Sequence, residues 1–150
     1  MKVIDILNNT DKAVFSFELV PPLKGGDINK IYEAIEPLIA LAPPFINITF
    51  HRDEVVYREY PDGTIKKVTV TKRPGSVALA AAIMRRYNVD MVPHIVCGGA
   101  TRHKIENELI DLNFLDIENV MALRGDPIPG ERFFTPDEDG HRYSYELVEQ

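Results

Sequence analysis

Strand-like segments alternate with helix-like segments along this sequence, and the alternation limits the possible folds more than any other feature. Four short apolar runs are typical of strands, and each is followed, directly or after a connection, by a segment typical of a helix. The predicted strands cover residues 14–20, 45–50, 91–97 and 119–124. Strands joined through helices of this length form a parallel sheet of right-handed βαβ units. The sequence therefore predicts an α/β fold with four parallel strands.

Local signals indicate where the predicted helices begin. Asp27 precedes the first helical run and is a good N-cap, while Pro37 inside that run predicts a kink or an early end. Ser76 is predicted to start the second helix and Thr101 to cap the third. Ser144 is predicted to cap a fourth helix, which has only begun where the chain ends.

The connection between the second strand and its helix is unusually long. Residues 55–71 carry two alternating runs around Asp62-Gly63, and Asp-Gly between such runs is a strong hairpin signal. We interpret this segment as an inserted β-hairpin on the face where the strands end. A lid over a site and a decorative surface hairpin are equally good interpretations of it.

Polar or reactive side chains lie at or near the carboxyl end of each predicted strand. These residues are Glu18, Asn47, Thr49, His94, Arg124 and Asp126. Alternation along a strand assigns its side chains to faces. In the first strand Phe15, Phe17 and Leu19 point outward to pack under helices, and Glu18 points inward.

The fourth strand shows the same contrast and helps to choose between two folds. Alternation predicts that Met121 and Leu123 point outward, opposite Ala122 and Arg124. An inward polar face with reactive groups at the strand ends is typical of a (βα) barrel. A doubly wound sheet also binds ligands at strand ends, but its strands are buried on both faces and uniformly apolar. The pattern favours the barrel.

The composition excludes several classes of protein. The 150 residues are 45% hydrophobic and 27% charged, which is typical of a globular chain. A net charge of −6 argues against nucleic acid as a partner, because binding phosphates needs a basic face. No apolar run suits a membrane span or a secretory signal. The single cysteine, Cys97, fits a reducing compartment, so we expect a cytoplasmic protein.

A metal site and a phosphate site are two alternatives for these residues. The candidate metal ligands are Glu18, His51, Asp53, His94 and Asp126. No pair of them shows the tight spacing of common metal motifs, so we predict no metal. Gly98-Gly99 before the third helix could hold a phosphate at a helix N-terminus, although such a glycine pair is nonspecific on its own.

Five segments in this order and spacing resemble the methylenetetrahydrofolate reductase family. They are FSFELVPP (15–22), FINITF (45–50), VPHIVCGGAT (92–101), NVMALRGDPIPG (119–130) and YSYELV (143–148). The combination is specific, although no single segment would suffice. The resemblance implies a (βα)8 TIM barrel that holds FAD noncovalently. It also implies reduction of 5,10-methylenetetrahydrofolate to 5-methyltetrahydrofolate, after NADH or NADPH has given hydride to the flavin.

The resemblance also implies roles for the matching residues. Glu18 matches the acid that protonates the folate nitrogen when the ring opens to an iminium cation, and apolar neighbours help an acid keep its proton. Asp126 matches an acid that stabilises this cation. The positions matched to cofactor contacts are Thr49, Phe50, His94, Arg124, Gly125, Asp126, Tyr143 and Ser144. Where many members have Tyr-Gly-Ala, this chain departs with Phe50-His51-Arg52.

Length limits what this chain is expected to do alone. A (βα)8 barrel needs roughly 250 residues, so we interpret residues 1–150 as a single partial domain, the N-terminal half of the barrel. We expect it to be inactive by itself and to form homo-oligomers through its open edge strands. Two rival hypotheses are a metal-dependent barrel hydrolase using Glu18, His94 and Asp126, and a non-catalytic half-barrel that binds a partner or itself.

Overall fold

The computed structural model describes all 150 residues as an α/β fold. The helices are α1 (Val3–Asn8), α2 (Ile28–Ile39), α3 (Ser76–Tyr87), α4 (Arg102–Phe114) and α5 (Ser144–Glu149). The strands are β1 (Phe17–Leu19), β2 (Phe45–Ile48), β3 (Glu54–Glu59), β4 (Ile65–Val70), β5 (Asp90–Val96) and β6 (Met121–Leu123). None of the helices is long and apolar enough to span a lipid bilayer.

Four of the strands form one sheet in the order β1-β2-β5-β6, and every neighbouring pair is parallel. This confirms the predicted four-stranded parallel sheet. The order follows the chain, as is usual when consecutive strands are connected through a helix. The two edge strands, β1 and β6, are each three residues long. This arrangement is compatible with half of a barrel wall.

The core lies between one face of the sheet and the helices. Ile46, Ile48, Met91 and Ile95 point to this face, and each is at most 1% exposed. Complete burial of such a side chain contributes about 1.5–3 kcal/mol. The helices complete the core with Ile35, Leu79, Ala80, Ile83, Ile105, Leu112 and Leu147. The opposite face of the sheet is therefore left without a layer of helices.

The strand register corrects two of the predicted faces. Ala122 pairs with Ile95 and packs against the core, while Met121 and Leu123 point to the opposite face and are 39% and 36% exposed. The predicted faces of this strand are wrong, because both are apolar and alternation alone cannot orient them. Phe15 precedes β1 and is 76% exposed, so its predicted packing under the helices is also wrong.

Two of the predicted helix caps are confirmed. The Asp27 carboxylate accepts a hydrogen bond from the Asn29 amide, and the Thr101 hydroxyl accepts one from the Lys104 amide. Each bond satisfies an amide that has no partner inside the helix. α2 continues for two residues beyond Pro37 before it ends.

Both ends of the chain differ from the prediction. Ser144 is the first residue of α5 rather than its cap, because the Tyr143 amide at the cap position donates to the Glu146 carboxylate at 3.1 Å. α1 buries no residue, so no apolar pattern predicts it. It is attached through Asn119, whose Oδ1 accepts a hydrogen bond from the Val3 amide at 2.8 Å. The Nδ2 of Asn119 donates to the carbonyl of Met1 at 2.9 Å.

β3 and β4 form a separate antiparallel ribbon between β2 and α3. The base of this ribbon is joined to the segment after β1. The Lys24 amide donates to the Lys72 carbonyl at 2.7 Å, and the Arg73 guanidinium donates to the Pro21 carbonyl. The ribbon is thus attached near the carboxyl end of β1, and its role as an insertion or a lid stays a prediction.

Candidate active site

Three polar residues from neighbouring strands lie on the sheet face that points away from the core. Glu18 in β1 is in register with Asn47 in β2, and His94 lies two residues beyond Val92, the β5 partner of Asn47. Nε2 of His94 is 3.8 Å from Oε2 of Glu18. The structure therefore brings two of the predicted site residues, Glu18 and His94, together with Asn47 beside them.

Two buried polar atoms in this row have no hydrogen-bond partner. His94 is 5% exposed and Asn47 is 8% exposed, yet neither Nε2 of His94 nor Oδ1 of Asn47 is hydrogen-bonded. The Asn47 Nδ2 donates to the Ser16 hydroxyl at 3.3 Å, which orients the amide. A buried polar atom without a partner costs about 1–3 kcal/mol. Such atoms indicate a face that can receive a polar ligand.

Glu18 is more open to solvent than its sequence neighbours predict. Its side chain is 58% exposed, whereas Phe17 and Leu19 are half-buried. The expected apolar surroundings are therefore wrong for this chain, because alternation puts both neighbours on the other side of the strand. An acid here needs a bound ligand or further protein surface to exclude water.

The surroundings of His94 favour its neutral form. Burial lowers the pKa of His94 below its usual value, and the Glu18 carboxylate opposes this shift in part. Above about pH 6.5, the usual pKa of histidine, the ring is neutral in the folded and the unfolded chain. Below that pH the unfolded chain takes up a proton first, so the folded state loses stability as the pH falls toward the lowered pKa.

The His94→Gln variant is expected to lose less stability on acidification, because glutamine does not titrate. The free energy of unfolding, measured in urea between about pH 7.5 and about pH 5, should fall less steeply than in the wild type. His51, whose pKa is also lowered by burial and by Arg73, accounts for part of the remaining decline. His103→Gln is the control, since His103 is 79% exposed. An unchanged slope in His94→Gln would contradict the prediction.

Thr49 and Phe50 follow β2 at the carboxyl end of the sheet, and both are half-buried. The Thr49 amide and hydroxyl donate to the Leu19 carbonyl at 3.0 and 3.3 Å. The same hydroxyl lies 3.2 Å from Nε2 of His51. These bonds fix Thr49 beside the end of β1, and its contact with a flavin stays a prediction, as does that of Phe50.

A cleft of about 540 Å³ lies where β6 ends and α5 begins. It is lined by Leu123, Arg124, Gly125, Asp126, Tyr143, Ser144 and Tyr145. Five of the predicted cofactor-binding residues thus meet in one place. The rings of Tyr143 and Tyr145 stack with their centroids 5.6 Å apart and provide a flat aromatic wall. Glu18 is not part of this lining, so the two predicted acids, Glu18 and Asp126, do not share one cleft.

The backbone at Gly125 requires glycine. Its φ of +84° is a conformation that side chains rarely adopt, and a Cβ there would lie 2.5 Å from Cγ1 of Val96. The loop after β6 therefore passes directly against the end of β5. The Arg124 carbonyl accepts a hydrogen bond from the Gly98 amide at 3.2 Å, which extends the pairing of the two strands.

Two neighbours of the predicted site, Phe134 and Arg52, are not assigned to it by the sequence. The guanidinium of Arg124 lies over the Phe134 ring, 5.4 Å from its centroid, and Arg52 contacts the turn at Gly98. Neither Phe134 nor Arg52 carries a local signal, because each contact joins distant segments. A third neighbour, Tyr145, lies within the same motif as Tyr143 and Ser144, so its place in the site could be predicted from the sequence.

A larger cleft of about 850 Å³ lies at the other end of the sheet, near the start of β5. Its lining includes Met1, Met84, Asp90 and Phe114 and none of the predicted site residues. Ligands of parallel α/β sheets bind at the carboxyl ends of the strands. The cleft at the end of β6 is therefore the better candidate for a ligand-binding site, although it is the smaller of the two.

The structure gives no support to a metal-dependent hydrolase. No group of three His, Cys, Asp or Glu side chains is arranged to hold a metal ion. That hypothesis needs Glu18, His94 and Asp126 together, and only the first two are shown to be close.

The chain is similar to several named reductases. The family model described as methylenetetrahydrofolate reductase matches residues 2–150. Methylenetetrahydrofolate reductase (NADH) 1 of Arabidopsis thaliana is 26% identical over 151 residues, which cover 99% of this chain and 23% of that protein. Methylenetetrahydrofolate reductase 1 of Schizosaccharomyces pombe is 28% identical over 152 residues, which cover 99% of this chain and 22% of that protein. 5,10-Methylenetetrahydrofolate reductase of Salmonella typhimurium is 25% identical over 115 residues, which cover 77% of this chain and 33% of that protein. The chain spans about a quarter of the first two relatives.

Proposed function

This chain belongs to the methylenetetrahydrofolate reductase family, and we propose that it carries the proton donor and part of the flavin site of such an enzyme. The proposed reaction is the reduction of 5,10-methylenetetrahydrofolate to 5-methyltetrahydrofolate with NADH or NADPH, through bound FAD. The supporting observation is the row of Glu18, Asn47 and His94 on the face without helices, where buried polar atoms lack partners.

The proposed fold of the whole enzyme is a (βα)8 barrel, of which these four parallel strands form half the wall. A helix follows each strand of the sheet, either directly or after the β3–β4 ribbon, as a barrel requires. Met121 and Leu123 lie on the face without helices, and large apolar side chains fill barrel interiors. The relatives from Arabidopsis thaliana and Schizosaccharomyces pombe are about four times as long as the segment they share with this chain, which leaves room for the other strands. Residues 54–70 would then be an insertion between the second strand and its helix.

The outer edges of β1 and β6 are unpaired in this sheet. Such edges favour pairing with further strands. In the proposed barrel they pair with strands of the remaining half, and in a polypeptide limited to these residues they favour self-association. Homo-oligomer formation and a cytoplasmic location stay predictions.

The strand-end residues fit a flavin dinucleotide. The cleft joins the tyrosine wall to Arg124 and to the backbone of Gly125, which carries no side chain of its own. Nε of Arg124 donates to the Gly125 carbonyl, and its guanidinium lies over the Phe134 ring. The residues proposed to hold FAD are Thr49, Phe50, His94, Arg124, Gly125, Asp126, Tyr143 and Ser144. When bound, FAD supplies a carrier that takes hydride from NAD(P)H and passes it to the folate.

The proposed catalytic groups are two carboxyl groups. The methylene bridge accepts hydride only after the five-membered ring opens, and opening requires a proton on the leaving nitrogen. Glu18 gives this proton as a general acid. Burial keeps the neighbouring His94 neutral, and a charged ring there would favour the ionised carboxylate, which cannot donate. Asp126 stabilises the resulting cation by its negative charge.

The test is to purify the reductase that carries these residues and to look for flavin and product. We expect a flavin absorption spectrum, FAD in the supernatant after denaturation, and 5-methyltetrahydrofolate formed at the expense of NAD(P)H. A polypeptide limited to residues 1–150 should bind FAD weakly and turn over little, because Glu18 and the cleft face solvent. Lack of flavin in the longer protein, or full occupancy and turnover in residues 1–150 alone, would contradict the proposal.

A further inference from the structure

The Gly98-Gly99 turn after β5 lies beside two basic side chains, those of Arg52 and Lys104. Nη1 of Arg52 is 3.5 Å from the position that a Gly98 Cβ would take, and Cβ and Cδ of Arg52 are 3.6 and 3.8 Å from the corresponding position at Gly99. Nζ of Lys104 donates to the Gly99 carbonyl at 3.5 Å, and the Arg124 carbonyl accepts from the Gly98 amide. The side chains of Arg52 and Lys104 therefore bring positive charge to this turn, beside the negative charge of Asp137.

Arg52 is held in place without a partner for its charge. Its side chain is half-buried against the glycine turn, yet its guanidinium forms no ion pair and no hydrogen bond with the protein. At the same turn, the Asp137 carboxylate accepts a hydrogen bond from the Gly99 amide at 2.8 Å. A guanidinium has five N–H donors in a rigid fork, so a packed one with free donors is ready to bind an oxyanion.

Phe134 connects Arg52 to the cleft at the end of β6. Cε2 of Phe134 and Nη1 of Arg52 both lie within 3.5 Å of the same point, the Cβ position of Gly98. The guanidinium of Arg124 lies over the same ring, and Arg124 lines the cleft. Arg52 and Arg124 therefore each place a guanidinium group near one phenyl ring beside the cleft. A Cβ at Gly98 would lie 3.1 Å from the ring and 3.5 Å from Nη1 of Arg52, so glycine leaves room for both side chains.

We propose that Arg52, together with Arg124, binds the diphosphate of a dinucleotide at this edge of the sheet. The inference rests on the proposed function, in which FAD and NAD(P)H both carry that group. Guanidinium groups match phosphate oxygens through paired N–H···O bonds, and glycine lets a phosphate approach the backbone. Arg52 stands where many family members have a small residue, so this contact would be a feature of this chain.

The test compares the affinities of the full-chain apoprotein for FAD and for riboflavin, which has no phosphate. In Arg52→Gln the Kd for FAD should rise about 10- to 100-fold, the range expected for charge-assisted hydrogen bonds, while the Kd for riboflavin stays unchanged. Arg52→Lys should recover part of the affinity, because it keeps the charge and loses the fork. Arg58→Gln, at an exposed arginine of β3, is the matched control and should change neither affinity.

The same variants separate the two sources of diphosphate. A higher KM for NAD(P)H with an unchanged Kd for FAD assigns the group to the co-substrate and supports the inference. An equal loss of FAD and riboflavin affinity, a loss confined to the folate substrate, or no change at all would overturn it. A wild-type protein that binds no flavin overturns the proposed function as well. If the wild type binds flavin and Arg52→Gln changes neither the flavin affinities nor the KM for NAD(P)H, this inference alone is overturned.

Discussion

The Glu18→Gln variant of the active reductase is expected to reduce its flavin with NAD(P)H at the normal rate and to reduce folate about 10²- to 10⁴-fold more slowly. Glutamine has nearly the same shape as glutamic acid but no acidic proton for the leaving nitrogen. Hydride transfer from NAD(P)H to flavin needs no proton from this group, so the two half-reactions separate. Stopped-flow absorbance of the flavin measures both, as bleaching with NAD(P)H and as recovery with 5,10-methylenetetrahydrofolate.

Glu33→Gln is the matched control for this experiment, because Glu33 is an exposed glutamate of α2. A second readout comes from His94, because the Glu18 carboxylate opposes part of the lowering of its pKa by burial. In Glu18→Gln the His94 ring should therefore titrate at a lower pH, as followed by NMR. Parallel loss of both half-reactions would mean that Glu18 maintains the flavin site, and the acid role would be rejected.

The Gly125→Ala variant is expected to lower the free energy of unfolding by about 2–5 kcal/mol. A left-handed backbone costs a residue with a side chain about 1–2 kcal/mol, and forcing an extra methyl group into a packed site costs about 1–3 kcal/mol. Cγ1 of Val96 is the atom that the methyl group meets, and a β-branched side chain has little freedom to rotate away. Chemical denaturation measures the loss.

Gly25 offers a closely matched control for the backbone cost alone. Its φ of +82° is nearly that of Gly125, and a Cβ there would meet nothing within 4 Å. Gly25→Ala should therefore cost only about 1–2 kcal/mol. Adding Val96→Ala to Gly125→Ala should reduce the destabilisation that Gly125→Ala causes in the wild-type background, because the clash is relieved. Equal destabilisation by Gly125→Ala and Gly25→Ala would show that the contact with Val96 is unimportant.

Much of the fold could be predicted from the sequence because its signals are local. Asp27 and Thr101 accept hydrogen bonds from amides two and three residues further along, so the residue type at the helix start decides the cap. The four parallel strands could likewise be predicted, because each is a short apolar run between helical segments. α1 leaves no such signal, because its attachment depends on Asn119, and a contact between residues 116 positions apart leaves no local pattern.

The candidate site could be predicted only in part. Alternation correctly turns Glu18 away from the core, because its neighbours in β1 differ clearly in polarity. The same reasoning fails for Leu123, since both faces of β6 are apolar and only the pairing with β5 orients them. Arg52 and Gly98 belong to different βα units, so their contact follows from the packing of the strands and not from any motif.

The attachment of α1 through Asn119 has a consequence for the order of folding. The two hydrogen bonds of this side chain join residues 1 and 3 to the segment before β6, and thus close a loop over separations of 118 and 116 residues. Closing a long loop costs more entropy than forming local contacts, and α1 buries no residue that would offset this cost. The first helix of the sequence is therefore among the last elements to assemble and the first to detach. Its detachment occurs at the amino ends of the strands and leaves the carboxyl-end site in place.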